Sequence, residues 1–308
     1  GKRSYTSHYA TRKVELMASL RDIKTQIGSV KATQQITSAM QTVASVKLKQ
    51  AERIVNKFLP YQEKISELLS NFLRSETKFK SIFERKGEVK RVAIVAFSAN
   101  MSLCGAFNSN VTKKLLKTID EYSHLGNDNI LIYTIGKKTD HAIRKMEITP
   151  FEYHEEIAHK PNYAKAMEIA NSLMEQFEAG SIDEVVMIYH KYKSKGVQVL
   201  VKETLLPVAF DESSKDNNNI EQYNATDYII EPGREELLNE LVPKAIKLKL
   251  YSALIESYTS EQAARNLAMQ TATDNADDLL DDLSLLYNKS RQQSITNELL
   301  DIIGATFK

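Results

Sequence analysis

Three short stretches of the chain hold residue types that could do chemistry. The stretch "HEEIAH" (154–159) sets two histidines around two carboxylates, the ingredients of a zinc-protease helix in which the histidines hold the metal and a glutamate serves as base. The spacing does not fit. His154 and His159 are five apart, about 140° round a helix, whereas one metal-binding face needs i and i+4. Pro161 follows closely, and surface histidines are the favoured reading. "DNADDLLDD" (274–282) places Asp278 and Asp282 one turn apart. A cation site is conceivable there, but a solvated or partner-facing acidic face is the better account. "SLCGAFN" (102–108) follows an apolar run, where a phosphate-cradling loop would sit, yet its one glycine is Gly105. It reads as a strand-to-helix turn with a buried thiol.

The wider inventory also argues against catalysis. None of the 10 glycines form a GxG or GxxxxGK pattern, so no dinucleotide fingerprint or phosphate loop is present and no cofactor is expected. A GxSxG nucleophile turn is missing too. The single cysteine, Cys104, excludes an internal disulfide and a cysteine metal cluster, and it fits a reducing compartment. With 41 basic and 40 acidic side chains, the chain lacks the basic surface that nucleic acid requires. No run approaches the length of a membrane-spanning helix. The expectation is a soluble chain that can still attach to something embedded in a membrane.

The elements come in three parts. Residues 1–16 are locally basic, with Lys2, Arg3, Arg12 and Lys13 against Glu15. They read as an expression remnant or extension ahead of a start at Met17, with a basic targeting segment as the alternative. Residues 17–75 form one amphipathic helix through Ile23, Ile27, Val30, Ile36, Met40, Val43, Val46, Ile54, Phe58, Tyr61, Ile65, Leu68 and Phe72, kinked at Pro60. Residues 76–232 alternate strand-like runs (91–98, 129–136, 184–192, 196–208, and a weaker 148–155) with helical stretches near 110–124, 137–146 and 162–179. This predicts an inserted Rossmann-like α/β domain with a mostly parallel sheet. The polar run 211–227 looks like a surface loop. Residues 233–308 return to helix, with Pro243 separating a short lead-in turn from the long helix.

The predicted fold class is therefore α/β with a long antiparallel coiled coil of the N- and C-terminal helices. At 1.5 Å per residue the helices would reach about 80 and 100 Å, so the C-terminal one should overhang by about 20 Å. One segment of it, "SEQAARNLAMQTATDNA" (260–276), spreads Ala and small polar residues round most of its circumference. A long shaft on a compact head suits a lever better than an enzyme.

Several motifs carry a family resemblance. "IKTQIGSVKATQQITSAMQTVASVKLKQ" (23–50), "SEQAARNLAMQTATDNADDL" (260–279) and "YNKSRQQSITNELLDIIGA" (287–305) resemble the terminal helices of the gamma subunit of F-type ATP synthase. "SLCGAFN" and "DYIIEP" (227–232) are similar to two motifs of that family's middle domain. The likeness runs from Met17 to about Ala305. It departs at Ile230, where an aromatic is frequent, and at "SANMSLCG" (98–105), which is a residue longer than usual.

The resemblance implies a non-catalytic central rotor shaft inside a hexamer of alpha and beta subunits, coupling ion-driven rotation of the membrane ring to the catalytic sites. In that reading the small-residue surface lets the helices approach closely and leaves room for the ring. Arg291, Gln292, Thr296 and Glu298 match residues that look toward the catalytic subunits, although ordinary coiled-coil surface charge would also explain them. Met40 matches a position near that contact. Arg265 matches a residue linked to coupling, with a core-edge arginine as the alternative. Tyr228 and Glu231 match the segment that seats the shaft on the epsilon subunit and the c-subunit ring of Fo. The implied location is the cytoplasmic face of a bacterial inner membrane, or the mitochondrial matrix side as the alternative. No nucleic acid and no small-molecule substrate are implied.

Overall fold

A computed structural model describes the backbone of residues 2–75, 83, 87–208 and 233–306, with side chains at most of these positions from Leu20 onward. Two compact units emerge. One combines Gly1–Val43 with Asn266–Lys308, and the other is Ala44–Arg265.

The second unit is built on a five-stranded sheet of order β3-β2-β1-β4-β5. Its strands are β1 (Val92–Phe97), β2 (Ile130–Ile135), β3 (Glu152–His154), β4 (Glu184–Ser194) and β5 (Val197–Leu206). The first four run parallel, and β5 returns antiparallel to β4. Every residue of β1 is buried, as expected of a central parallel strand covered on both faces. Ala93, Val95 and Phe97 face a core completed by Ala166, Ala170, Leu173 and Phe177 of α5 (Tyr163–Glu178). Val92, Ile94 and Ala96 meet Val111 and Leu115 of α2 (Phe107–Glu121) and Ile143 of α3 (Lys137–Arg144). The short α4 (Glu156–His159) follows β3. The polar run 211–227 lies outside the described residues.

Two long helices begin and end the chain, α1 (Lys2–Ser75) and α6 (Arg234–Thr306). Within the second unit they lie antiparallel. The rings of Phe58 and Tyr251 meet edge to face at 4.9 Å, and Lys244 sits 6.0 Å over Tyr61. In the first unit the same sense holds: Gln34 donates to Asp277 at 2.9 Å, Thr273 to Thr37 at 2.8 Å, and Asn266 to the Gln41 carbonyl at 3.0 Å.

Three expectations need correction. Pro243 does not separate a turn from a helix, because α6 runs straight through it. Leu238, Val242, Ile246 and Leu250 all enter the main core, and that shared buried face outweighs the lost backbone donor. The expected overhang is also absent from the lengths, which are 74 and 73 residues, since α1 is already helical at Lys2.

The third correction concerns the face of α1. Its large apolar residues were expected to form the buried stripe. Ile23 and Phe72 are buried as expected, but between them it is Thr37, Ala44, Leu48, Ala51 and Val55 that are buried, while Ile36, Val43 and Val46 are more than half exposed. Ile36, Val43 and Ile54 stand directly before Thr37, Ala44 and Val55, so the exposed stripe lies about 100° round the helix from the buried one. At Thr37 the buried face meets the partner helix directly, through the hydroxyl of Thr273 at 2.8 Å, while Ile36 and Val43, each one position before a buried residue, are left outside.

Candidate functional site

The three chemically suggestive stretches resolve as ordinary structure. His154 ends a strand and His159 ends α4, so the two share no helix face. His154 pairs with Glu152 at 3.1 Å. Glu156 is paired with Lys165. Asp278 and Asp282 are exposed. Among the described residues no group of three or more His, Cys, Asp or Glu could hold a metal ion, and no helix is long and apolar enough to cross a membrane.

The turn 98–106 is held from within. The Asn108 side chain accepts from the Ala99 amide at 2.9 Å and donates to the Met101 carbonyl at 3.2 Å. Leu103 and Gly105 both take positive φ, +63° and +58°, a left-handed region that a glycine enters freely and a leucine does not. Cys104 is 1% exposed, and burial pushes its thiol pKa up. The expected buried thiol is present.

The residues matched to the ring contact separate into two groups. Arg291, Gln292, Thr296 and Glu298 all lie exposed near the end of α6. Thr296 donates back to the Gln292 carbonyl at 2.9 Å, which uses its one hydroxyl proton and leaves both oxygen lone pairs as acceptors. Their apolar neighbours are exposed as well: Ile295 at 48%, Leu299 at 54% and Leu300 at 61%. Free-standing proteins rarely leave a contiguous run of aliphatic side chains uncovered in this way. Met40, in the same unit, is half-buried.

Arg265 belongs to the other group. It is 8% exposed, and its Nη1 donates to Glu261 at 2.8 Å. Around it, nearly every side chain of α6 from Ser252 to Arg265 is buried, including Glu256, Ser257, Ser260, Glu261 and Gln262. Between Ser252 and Arg265 the chain itself covers this helix on nearly every side. Exposure begins only at Leu267. The expectation that the small surface of 260–276 leaves room for a surrounding ring does not fit the burial of its first part, Ser260 to Asn266. Tyr228 and Glu231 lie outside the described residues.

Sequence reasoning missed the side chains by which α6 holds the sheet. Glu256 accepts from the Tyr192 amide at 3.2 Å and from Ser252 at 3.1 Å, and Ser260 donates to the His190 carbonyl at 3.1 Å. His190 stacks on Phe107 at 4.2 Å, and burial lowers its pKa to about 4. The available signal was the density of Ser, Thr and Glu in "YSALIESYTSEQ" (251–262), polar residues in a stretch whose apolar neighbours forecast burial.

Comparison with known proteins agrees with this fold. The family model described as "ATP synthase" matches residues 19–306. The ATP synthase gamma chain of Bacteroides thetaiotaomicron is 50% identical, with 95% of this chain and 100% of that one covered. That of Bacteroides fragilis is 49% identical over 94% and 99%. Among solved structures, the rotor of the Euglena gracilis mitochondrial ATP synthase aligns over 90% of this chain and 99% of its own, at TM-score 0.60 and 21% identity. The central stalk and c-ring structure from Tetrahymena thermophila gives TM-score 0.56 at 20% identity, covering 77% of this chain and 99% of the other. These structural matches establish the same fold.

Proposed function

The chain belongs to the ATP synthase gamma chain family, and from that membership we propose that it is the turning shaft of an F1Fo ATP synthase, with no chemistry of its own. Its ends, wound together, would rotate inside a hexamer of alpha and beta subunits and force each catalytic site in turn through different shapes. Such a shaft acts as a ligand does. It biases a conformational equilibrium, and about 5.5 kcal/mol of differential contact takes a population from 1:99 to 99:1.

The observation that carries the reading is the pattern of burial on the two long helices. Thr37, Ala44 and Ala51 are buried, Thr37 against Thr273 of the other helix, while Ile36, Val43, Leu285, Leu299 and Ile303 stay at least half exposed. A free-standing protein rarely leaves such aliphatic rows uncovered, and non-directional apolar contact suits a surface that must slip past its partner. Arg291, Gln292, Thr296 and Glu298 supply polar groups able to grip the catalytic subunits, with Met40 nearby in role and Arg265 contributing from its buried position. Tyr228 and Glu231 would meet the epsilon subunit and the c-subunit ring. The Bacteroides relatives favour a place on the cytoplasmic face of a bacterial inner membrane.

Co-expression with alpha and beta subunits tests the proposal. The full chain should copurify with a hexamer and stimulate its ATP turnover, while calorimetry of the chain alone with ATP or NAD gives no binding heat. Nucleotide binding to the isolated chain, together with failure to capture a hexamer, would replace the shaft by a sheet-based enzyme.

A further inference from the structure

The sheet has an occupant in the place where open α/β sheets take their ligands, and the occupant is the chain itself. β2 and β3 step away from β1 on one side while β4 lies on the other. The strand order therefore reverses between β1 and β4, and ligands of such sheets enter at the carboxyl ends of that pair. β4 also outruns β1. Their pairing runs from Val92↔Glu184 to Ala96↔Ile188, and β4 goes on to Ser194. Beyond Ile188 its edge loses the neighbour that would bond its peptide groups, and a buried peptide group left unbonded is costly.

Side chains of α6 supply those bonds. Ser260 Oγ donates to the His190 carbonyl, and Glu256 Oε2 accepts from the Tyr192 amide two residues on, on the same edge. Ala264 packs on Ala99, Cys104 and Phe107, the residues that open the turn after β1. Leu254, Ser257 and Glu261 close over Phe97 and Ser98, leaving a void of about 10 Å³, no more than a single water could fill. The helix is small here because it fills a crevice. Glu261 lines that void and Glu256 caps the edge of β4, so the chain's own side chains take the space a nucleotide phosphate would need.

We propose that α6 from Ser252 to Ala264 is the built-in occupant of the sheet's ligand crevice, and that this contact is the joint through which sheet and helix move as one body. The joint excludes nucleotides by occupation and fixes the helix by backbone bonds that a sliding apolar contact could not provide.

Cys104, the chain's only cysteine, lies on the floor of the joint and serves as a gauge. In the native full chain its thiol reacts with an aromatic disulfide reagent only when the joint opens. Ser260→Ala removes one buried hydrogen bond, worth about 1–1.4 kcal/mol, and should raise the reaction rate about five- to tenfold. Glu256→Ala removes two, from the Tyr192 amide and Ser252, and should raise it at least as much. Lys202→Ala, at the outer strand, should leave it unchanged. If Glu256→Ala does not fold, Ser260→Ala alone decides. An unchanged rate in Ser260→Ala, with β1 amides still protected from exchange, would overturn the occupant. The mechanical half rests on the shaft reading: in reassembled F1Fo the same variants should make less ATP per ion gradient dissipated. Faster thiol reaction with undiminished coupling would overturn the joint's mechanical role while leaving the occupant standing.

Discussion

Arg265 and Glu261 form an ion pair one helical turn apart, Nη1 to Oε1 at 2.8 Å, with each side chain only 9% exposed. Arg265 keeps Nε and Nη2 without a hydrogen-bond partner among the described residues. Those two nitrogens form the edge of a guanidinium that takes a carboxylate in two parallel bonds. Burial already pushes the Glu261 pKa up against the opposing pull of Arg265. Removing the arginine therefore strands a carboxylate in a site that disfavours its charge. Arg265→Met should cost about 3 kcal/mol or more in urea unfolding, and adding Glu261→Gln should recover most of it, since a buried pair replaced whole is close to neutral. Equal losses in the single and double variants would show that the pair is not coupled.

His190 makes the joint acid-sensitive. Its folded pKa lies near 4 because burial disfavours the imidazolium, while the unfolded chain protonates near the ordinary value of about 6.5. Between those values the unfolded state binds the extra proton, so stability is full above pH 6.5 and falls as pH drops toward 4. The loss approaches about 3 kcal/mol. Glu256 and Glu261 run the other way, their pKa values being raised by burial, but they are common to wild type and variant. The stability difference between wild type and His190→Gln, measured by denaturant titration, should hold constant above pH 7. It should move against the wild type from pH 6.5 to 4. A flat difference would place the imidazole in contact with water.

How much of this was legible in the sequence depends on what each signal measures. β1 and β4 were readable because strands buried on both faces need unbroken apolar runs, and VAIVAF has no alternative use. β3 was only a weak run because its three residues are each partly exposed. The middle of α1 departs from the expected face for a physical reason. Periodicity locates apolar residues but cannot say whether the chain's own helix or another molecule covers them, and here Thr37 and Ala44 went inside while Ile36 and Val43 stayed out. The grip of α6 on β4 was invisible because it uses backbone groups of His190 and Tyr192, which have no signature in side-chain type.

Gly136 is constrained by the same turn region. Its φ is +106°, and a Cβ there would lie 2.1 Å from the Ser98 carbonyl oxygen. The Ser98 backbone is already tied, its amide donating to the Ile135 carbonyl at 2.7 Å, so it has little freedom to retreat. Gly136→Ala combines a disfavoured backbone angle with this overlap and should cost about 2–3 kcal/mol or more, seen as a lowered Tm. Gly28→Ala, where a Cβ would meet nothing within 4 Å, should instead raise stability by about 0.5–1 kcal/mol, since alanine is the better helix former. If both variants melt alike, the turn relaxes more easily than its bonding suggests.

The exposed end of α6 gives the prediction closest to function. Arg291 and Glu298 stand seven apart, two turns along roughly one face, and both are open to solvent. Their loss should not disturb folding, because surface substitutions away from special features stay within about 0.5 kcal/mol. Arg291→Ala with Glu298→Ala should therefore melt like wild type yet lower ion-driven ATP synthesis in reassembled enzyme. A Leu299→Asp, Ile303→Asp pair asks a different question, since it charges aliphatic residues 54% and 52% exposed. That pair should leave the isolated chain intact but weaken capture of the hexamer, because burying an unpaired carboxylate against a partner is expensive. Full synthesis in the first variant would remove Arg291 and Glu298 from the grip. Undiminished capture in the second would mean that this end of the helix stays in water throughout the cycle.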